Sequence, residues 1–209
     1  MLLQCQRFIA HTVLFGGTFD PIHLGHVITA RCAAEILGAN RVLFIPAQVS
    51  PHKPEAPPTA DGRHRLAMVK LAAEEDPLFA ACDIEVHRPP PSYTIDTVET
   101  LRQQQPGEEF TLLLGADQLL RLDAWRRGAE LLASVGVAVL PRPGYIISPW
   151  PPPNFPDDVW QKIRRGVLDT PALGLSSRLI RQRIKCGQSI HYLTPLPVEA
   201  YIIRHRLYR

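Results

Sequence analysis

Short apolar runs alternate along the chain with longer stretches of helical periodicity, and glycine and proline mark the joints between them. Thr12-Val13-Leu14-Phe15 is a β-branched apolar run that predicts a buried strand, and a 3.6-residue pattern takes over near Leu24. From Leu24 to Leu37 the residues Val27, Ile28, Ala30, Ala34 and Leu37 form one apolar face, and Gly38 ends the helix. Residues 41–46 read as a second buried strand. Strand, helix and strand within this length make a βαβ unit, whose strands run parallel with a right-handed crossover. The fold class is therefore α/β.

The pattern continues downstream. A second helix is expected over residues 62–75, with Leu66, Val69 and residues 71–73 as its stripe. Residues 79–86 read as a strand whose alternating acids, Asp83 and Glu85, mark a half-exposed edge. Ser92-Tyr93-Thr94-Ile95-Asp96-Thr97 opens a third helix reaching about Gln105, with a hydroxyl available to cap it. Strands follow at 110–114 and 135–140. Six prolines between Pro143 and Pro156 then impose an irregular loop. A helix beginning at Ser176-Ser177 stops at Gly187, and a last one spans residues 197–207. A chain of 209 residues suits one principal core. The division expected is one domain, with a main sheet in 1–142, the proline-rich loop in 143–157 and a C-terminal part in 158–209.

Composition narrows the function classes. Apolar content of 45 % and charged content of 21 % are ordinary for a globular protein, and no apolar run approaches the ~20 residues that span a bilayer. The first nine residues are too polar for a signal peptide, so a cytoplasmic location without membrane partners is expected. A net charge of +3 without a dense basic run argues against nucleic acid and leaves small anions as the better partners. Cys5, Cys32, Cys82 and Cys186 are widely spread with no Cys-x-x-Cys pair, and read as buried or incidental thiols.

The chemistry concentrates after the first strand, in Gly16-Gly17-Thr18-Phe19-Asp20-Pro21-Ile22-His23-Leu24-Gly25-His26. Two glycines allow close approach of a ligand to the backbone, and the free amides of a helix start attract an anion, usually phosphate. His23 and His26 are three apart and share one helix face. Each piece alone has an ordinary explanation in turn or helix-start chemistry; in this order they point to a phosphate site. His52 and Lys53, in the proline-rich stretch after the second strand, either close over that phosphate or lie on a solvated basic loop. Asp117, after the 110–114 strand, either touches a sugar hydroxyl or caps the next short helix, and Trp125 either covers the core or offers a flat face to an aromatic ligand. Ser176, Ser177 and Arg181 open either a plain amphipathic helix or a second phosphate cradle.

Together these segments resemble the His-x-Gly-His nucleotidyltransferase superfamily, and within it the bacterial nicotinate-nucleotide adenylyltransferases. Gly16 to His26 is similar to that family's Gly-Gly-Thr-Phe-Asp-Pro-x-His-x-Gly-His motif without a gap, and Ser176-Ser177-x-x-Ile180-Arg181 to its second signature. Pro51-His52-Lys53, Ser92 to Thr97, Gly115-Ala116-Asp117, Trp125 and Arg142-Pro143-Gly144 agree in type and order. Arg178 departs from the Thr or Ser usual there, and the proline loop after Gly144 is unusual. The resemblance implies a Rossmann-like doubly wound parallel sheet with a small helical C-terminal part. It implies adenylyl transfer from ATP, with Mg²⁺, to nicotinate mononucleotide. His23, His26, Lys53 and Arg181 would be catalytic, and no direct protein ligand for the metal is assigned. Gly16, Gly17, Thr18, Phe19, Asp20, Gly25, Ser176, Ser177 and Ile180 would hold ATP; Tyr93, Thr94, Asp117, Trp125 and Arg142 would hold the acceptor. Other acceptors, nicotinamide mononucleotide or phosphopantetheine, and a nucleotide sensor without catalysis are the alternatives. A nicotinamide-dependent dehydrogenase is disfavoured, because the first turn lacks Gly-x-Gly-x-x-Gly.

Overall fold

A computed structural model describes residues 10–49, 57–152 and 155–209. Five strands, His11–Gly17 (β1), Arg41–Pro46 (β2), Phe79–Ala81 (β3), Glu109–Gly115 (β4) and Gly136–Leu140 (β5), form one sheet in the order β3-β2-β1-β4-β5. Every pairing is parallel; Val13 faces Val42 on one side and Thr111 on the other. The expected α/β doubly wound sheet is therefore present. Among the described residues no helix is long and apolar enough to cross a membrane.

Period-two alternation divides the strand side chains between two cores. Val13, Phe15, Val42, Phe44, Leu113, Ala138 and Leu140 point to one face, and Leu14, Leu43, Ile45, Leu112, Leu114, Val137 and Val139 to the other. The first face is covered by Leu24–Leu37 (α1), Gly62–Ala73 (α2), Ser177–Lys185 (α6) and Leu196–Arg204 (α7). The second is covered by Thr94–Gln104 (α3), Gly128–Ser134 (α4), Asp157–Arg165 (α5) and a kinked 3₁₀ segment over Ala116–Ala124.

Details differ from the pattern reading for identifiable reasons. In α1 the inward residues are Gly25, Thr29, Ala30, Ala33 and Ala34, whereas Ile28 is exposed. Small residues let the helix lie close to the sheet, and Thr29 is tolerated inside because its hydroxyl donates to Gly25 O at 2.7 Å. β3 stops at Ala81 instead of continuing to 86, and Glu85 is buried, not half-exposed. Helices α4 and α5 go beyond what the pattern reading contains. In α5 the signal is present: Asp157 and Asp158 in the first turn, Lys162, Arg164 and Arg165 in the last, and Val159, Trp160 and Ile163 inward. Cys32 and Cys82 are half-buried, Cys186 is exposed, and all three are free.

The loop after β1 and the C-terminal Tyr208 meet at Asp20. Its buried carboxylate accepts from Thr59 N at 2.7 Å, Ala60 N at 3.0 Å and the Tyr208 hydroxyl at 2.8 Å. Tyr208 is itself buried, and its phenol is held far above its ordinary pKa by burial and by the Asp20 charge. Replacing it by phenylalanine removes a buried charge-assisted bond and should lower unfolding free energy by about 2 kcal/mol. Urea denaturation of Tyr208→Phe measures this; an unchanged midpoint would show that the C-terminus does not brace the β1–α1 loop.

Candidate active site

The order of the sheet reverses between β1 and β4, and ligands of open α/β sheets bind at the carboxyl ends of the strands beside such a point. The segments singled out in the sequence converge there. Residues 16–23 leave β1, Asp117 follows β4, Arg142 follows β5, and the start of α6 packs under the first loop.

His23 is the extended N-cap residue of α1 and is 2 % exposed. The His26 ring stacks on it, with centroids 3.6 Å apart and planes inclined by 21°. His26 Nδ1 accepts from the His23 backbone N–H at 3.3 Å, so the proton of the neutral ring sits on Nε2. His23 Nδ1 is buried and has no hydrogen-bond partner. Glycine at position 25 leaves room for this ring, since a Cβ there would stand only 3.0 Å from it. Burial lowers the His23 pKa to about 3, and the Arg142 charge acts in the same direction. Burial also takes His26 well below 6.5, with His23 and Arg142 adding to the effect. Both imidazoles are thus neutral near pH 7 before a ligand arrives. A bound phosphate acts in the opposite sense and favours the imidazolium.

Arg142, expected on the acceptor side, stands between the acceptor side and the histidines. Its Nε lies 3.5 Å from Asp117 Oδ1, and its charge reaches both rings. Beneath this pair a Cβ at Gly115 would lie 2.5 Å from Asp117 Oδ1 and 3.2 Å from Arg142 Nε. Asp117 sits in the first turn of the 3₁₀ segment, whose N-cap is Gly115. It therefore faces the cleft and does not serve as a cap.

A cavity of about 350 Å³ adjoins the loop, bounded by Gly16, Gly17 and Thr18 on one side and by Thr94, Asp117 and Trp125 on the other. Trp125 packs against the second core and also lines the cavity. Tyr93 is the N-cap of α3 and offers no side-chain cap, so the first amides of α3 have no intrahelical partner and no capping side chain. Its ring carries the Arg126 guanidinium at 4.7 Å, and Arg126 also pairs with Asp96 at 3.5 Å. Ser92, the expected capping hydroxyl, instead accepts from Gln48 N at 3.1 Å.

The second signature lies against the first. Ser176 caps α6 by accepting from Leu179 N at 3.2 Å, Ser177 Oγ donates to Pro21 O at 2.8 Å, and Arg181 Nη1 donates to Asp20 O at 2.6 Å. Of the residues expected at ATP, Phe19, Asp20 and Ile180 have side chains turned into the protein, so that only their backbone could face a ligand: Phe19 packs on Phe15, Phe44 and His26, Asp20 receives the bonds described above, and Ile180 is wholly buried. His52 and Lys53 lie outside the described residues. Among the described residues no cluster of three or more His, Cys, Asp or Glu side chains could hold a metal ion.

Sequence reasoning missed Arg65, a buried guanidinium that donates to the carbonyls of Ala60 (3.1 Å), Thr18 (2.8 Å), Ala47 (2.5 Å) and Gln48 (2.9 Å). It also missed Glu85 as a wall of the cavity. An arginine beside the apolar Leu66 reads as the solvent edge of a helix, and nothing local marks it as buried.

Fold and site define a nucleotide-binding α/β protein with a histidine pair at the first helix start. The cytidylyltransferase-like family matches residues 14–183. A "probable nicotinate-nucleotide adenylyltransferase" of Thermus thermophilus is 41 % identical over 94 % of this chain and 98 % of that protein. One of the same description from Symbiobacterium thermophilum is 37 % identical over 96 % of each. In fold, the chain superposes on a Plasmodium falciparum nicotinic acid mononucleotide adenylyltransferase complexed with NaAD at a TM-score of 0.75, with 18 % identity over 95 % of this chain and 97 % of that one. The chain belongs to the cytidylyltransferase-like nucleotidyltransferases and, within them, to the nicotinate-nucleotide adenylyltransferase family.

The buried histidines make stability depend on pH. Between the unfolded value of 6.5 and the folded value of about 3, the unfolded chain takes up a proton that His23 in the folded protein does not. Stability is therefore lost as pH falls through this window, by up to about 1.4 kcal/mol per pH unit for one such group. Urea unfolding between pH 7 and about 5.5, above the range of ordinary carboxylates, should show the loss, and His23→Asn should flatten it. An identical slope in the variant would mean that His23 is protonated in the folded protein.

Proposed function

We propose that the protein transfers the adenylyl group of ATP to nicotinate mononucleotide, giving deamido-NAD and pyrophosphate. The observation that carries this reading is the joining of two sites: the glycine loop 16–18, which leads within one turn to the stacked histidines, borders a cavity walled on its other side by the α3 start and Trp125. A phosphate oxygen of the acceptor attacks the α-phosphorus of ATP; the new P–O bond forms as the bond to the β-phosphate oxygen breaks, and pyrophosphate leaves. The acceptor is already an anion, so no covalent nucleophile is needed. The protein's task is in-line placement and compensation of charge.

For that task the chain offers His26 Nε2–H, the buried His23 ring, Arg142, and the helix-start amides of α1 and α6. Lys53 joins this set on the strength of its sequence motif. Mg²⁺ enters as part of the ATP substrate, held through the phosphates, which is its usual mode where no protein cage exists; when bound, it offsets charge on the triphosphate. Facing the pyridine ring, the uncapped start of α3 favours a carboxylate over a neutral amide, and Trp125 supplies a flat surface.

Incubation with ATP, Mg²⁺ and each pyridine mononucleotide, followed by identification of the product, tests the reading. Deamido-NAD should form faster than NAD; equal rates would remove the argument for acid selectivity, and absence of pyrophosphate release would remove the reaction. His26→Ala should lower kcat by roughly a hundred- to a thousand-fold in a folded protein. Near-normal turnover in that variant would take His26 out of the mechanism.

A further inference from the structure

Glu85 is a carboxyl group on the wall of a cavity to which the preceding section assigns an anionic acceptor, and this placement needs a reason. It is 6 % exposed and lies on the turn after β3, facing the start of α3. Its Oε1 accepts from Thr97 Oγ1 at 2.7 Å, and Thr97 in turn accepts from Arg88. Ser92 Oγ, on the same wall, accepts from Gln48 N at 3.1 Å, and Ser92 N donates to Val49 O at 3.1 Å. Ser92 and Thr97 flank the first turn of α3, residues 93–96, and both line the cavity with Thr94.

We propose that Glu85 is a positioning residue for the acceptor: by accepting from Thr97, which lines the cavity beside Ser92 and Thr94, it fixes the first turn of α3 against the turn after β3. The inference rests on the acceptor assignment made above. Two features set Glu85 apart from a side chain that merely fills space. First, its carboxyl ties the turn after β3 to the first turn of α3, which Ser92 joins to residues 48 and 49. Second, its charge is moderated. Burial pushes the carboxyl above its ordinary pKa, against which the Thr97 bond, the Arg88 charge and the nearby Ser92 hydroxyl act. A carboxyl so compensated repels an incoming carboxylate less than a bare one does.

The test separates acceptor binding from ATP binding. In Glu85→Ala the KM for nicotinate mononucleotide should rise about tenfold or more, while kcat and the KM for ATP stay within about twofold. Glu85→Gln retains an oxygen for Thr97, so its KM should lie nearer to wild type than that of Glu85→Ala. Thr97→Val, which keeps the side-chain shape, should raise the same KM and provides the answer if Glu85→Ala does not fold. A KM for the mononucleotide within about twofold of wild type in a folded variant, or a parallel rise in both KM values, would overturn the inference while leaving the reaction intact. Wild-type protein that makes no dinucleotide from nicotinate mononucleotide would overturn the acceptor assignment, and this role with it.

Discussion

The loop between β1 and α1 is held by its carbonyls. Gly17 O accepts from Ala47 N at 2.9 Å, Thr18 O from Arg65, Asp20 O from Arg181, and Pro21 O from Ser177. A backbone that is to bind phosphate cannot be fixed through its own N–H groups, since those are what the ligand needs. Restraint must come from the acceptor side of each peptide, and four partners from three different parts of the chain supply it. Arg65 suits the task because one guanidinium has five donors in a rigid fork and can satisfy several carbonyls at once. Buried in this way it is costly to desolvate, and its pKa is drawn down by burial despite the opposing influence of Asp20.

This changes the reading of the second signature. Ser177 and Arg181 would be taken from sequence as hands that grip the triphosphate directly. In the folded protein each already donates to the first loop, so their first effect is to couple the start of α6 and the β1–α1 loop into one body. The same logic explains Asp20, whose side chain gathers the start of α2 and the C-terminal Tyr208 beneath the loop that its backbone helps to form. Residues 158–209 are thus structurally continuous with the site, even though they follow the proline-rich segment.

Legibility in the sequence followed the range of the interaction. The strand and helix order, the glycine turn, the histidine pair and the hydroxyl cap at Ser176 were readable, because each depends on spacing or on residues within one turn. The family resemblance added the acceptor side, and the structure indeed brings Thr94, Asp117 and Trp125 to one cavity. What escaped were polar residues whose partners are remote: Arg65 with Thr18, Tyr208 with Asp20, and Glu85 with Thr97. A pattern of apolar and polar positions assigns such residues to solvent, since it carries no information about a carbonyl or hydroxyl brought in from elsewhere. Ile28 and Thr29 failed for a different reason: hydrophobicity predicted the face of α1, but close approach to the sheet favoured small side chains.

The helix starts show where the chain is incomplete without its substrate. An anion at a helix N-terminus is stabilising, and α3, α4 and α5 each carry an acidic residue in the first turn, at Asp96, Glu130 and Asp157-Asp158. The two helices whose starts meet at the histidine loop have none. In α6 the first turn instead holds the exposed Arg178, at the position where the family usually has a hydroxyl, and Arg181 stands one turn on from the Ser176–Ser177 start. Positive charge added to the positive end of a dipole is unfavourable within the protein alone. In the proposed reaction a triphosphate lying across the starts of α1 and α6 would reverse that sign, so the same arrangement that costs stability in the free protein would become binding energy in the complex. Arg178 would then offer that triphosphate a positive charge where the family usually has a hydroxyl.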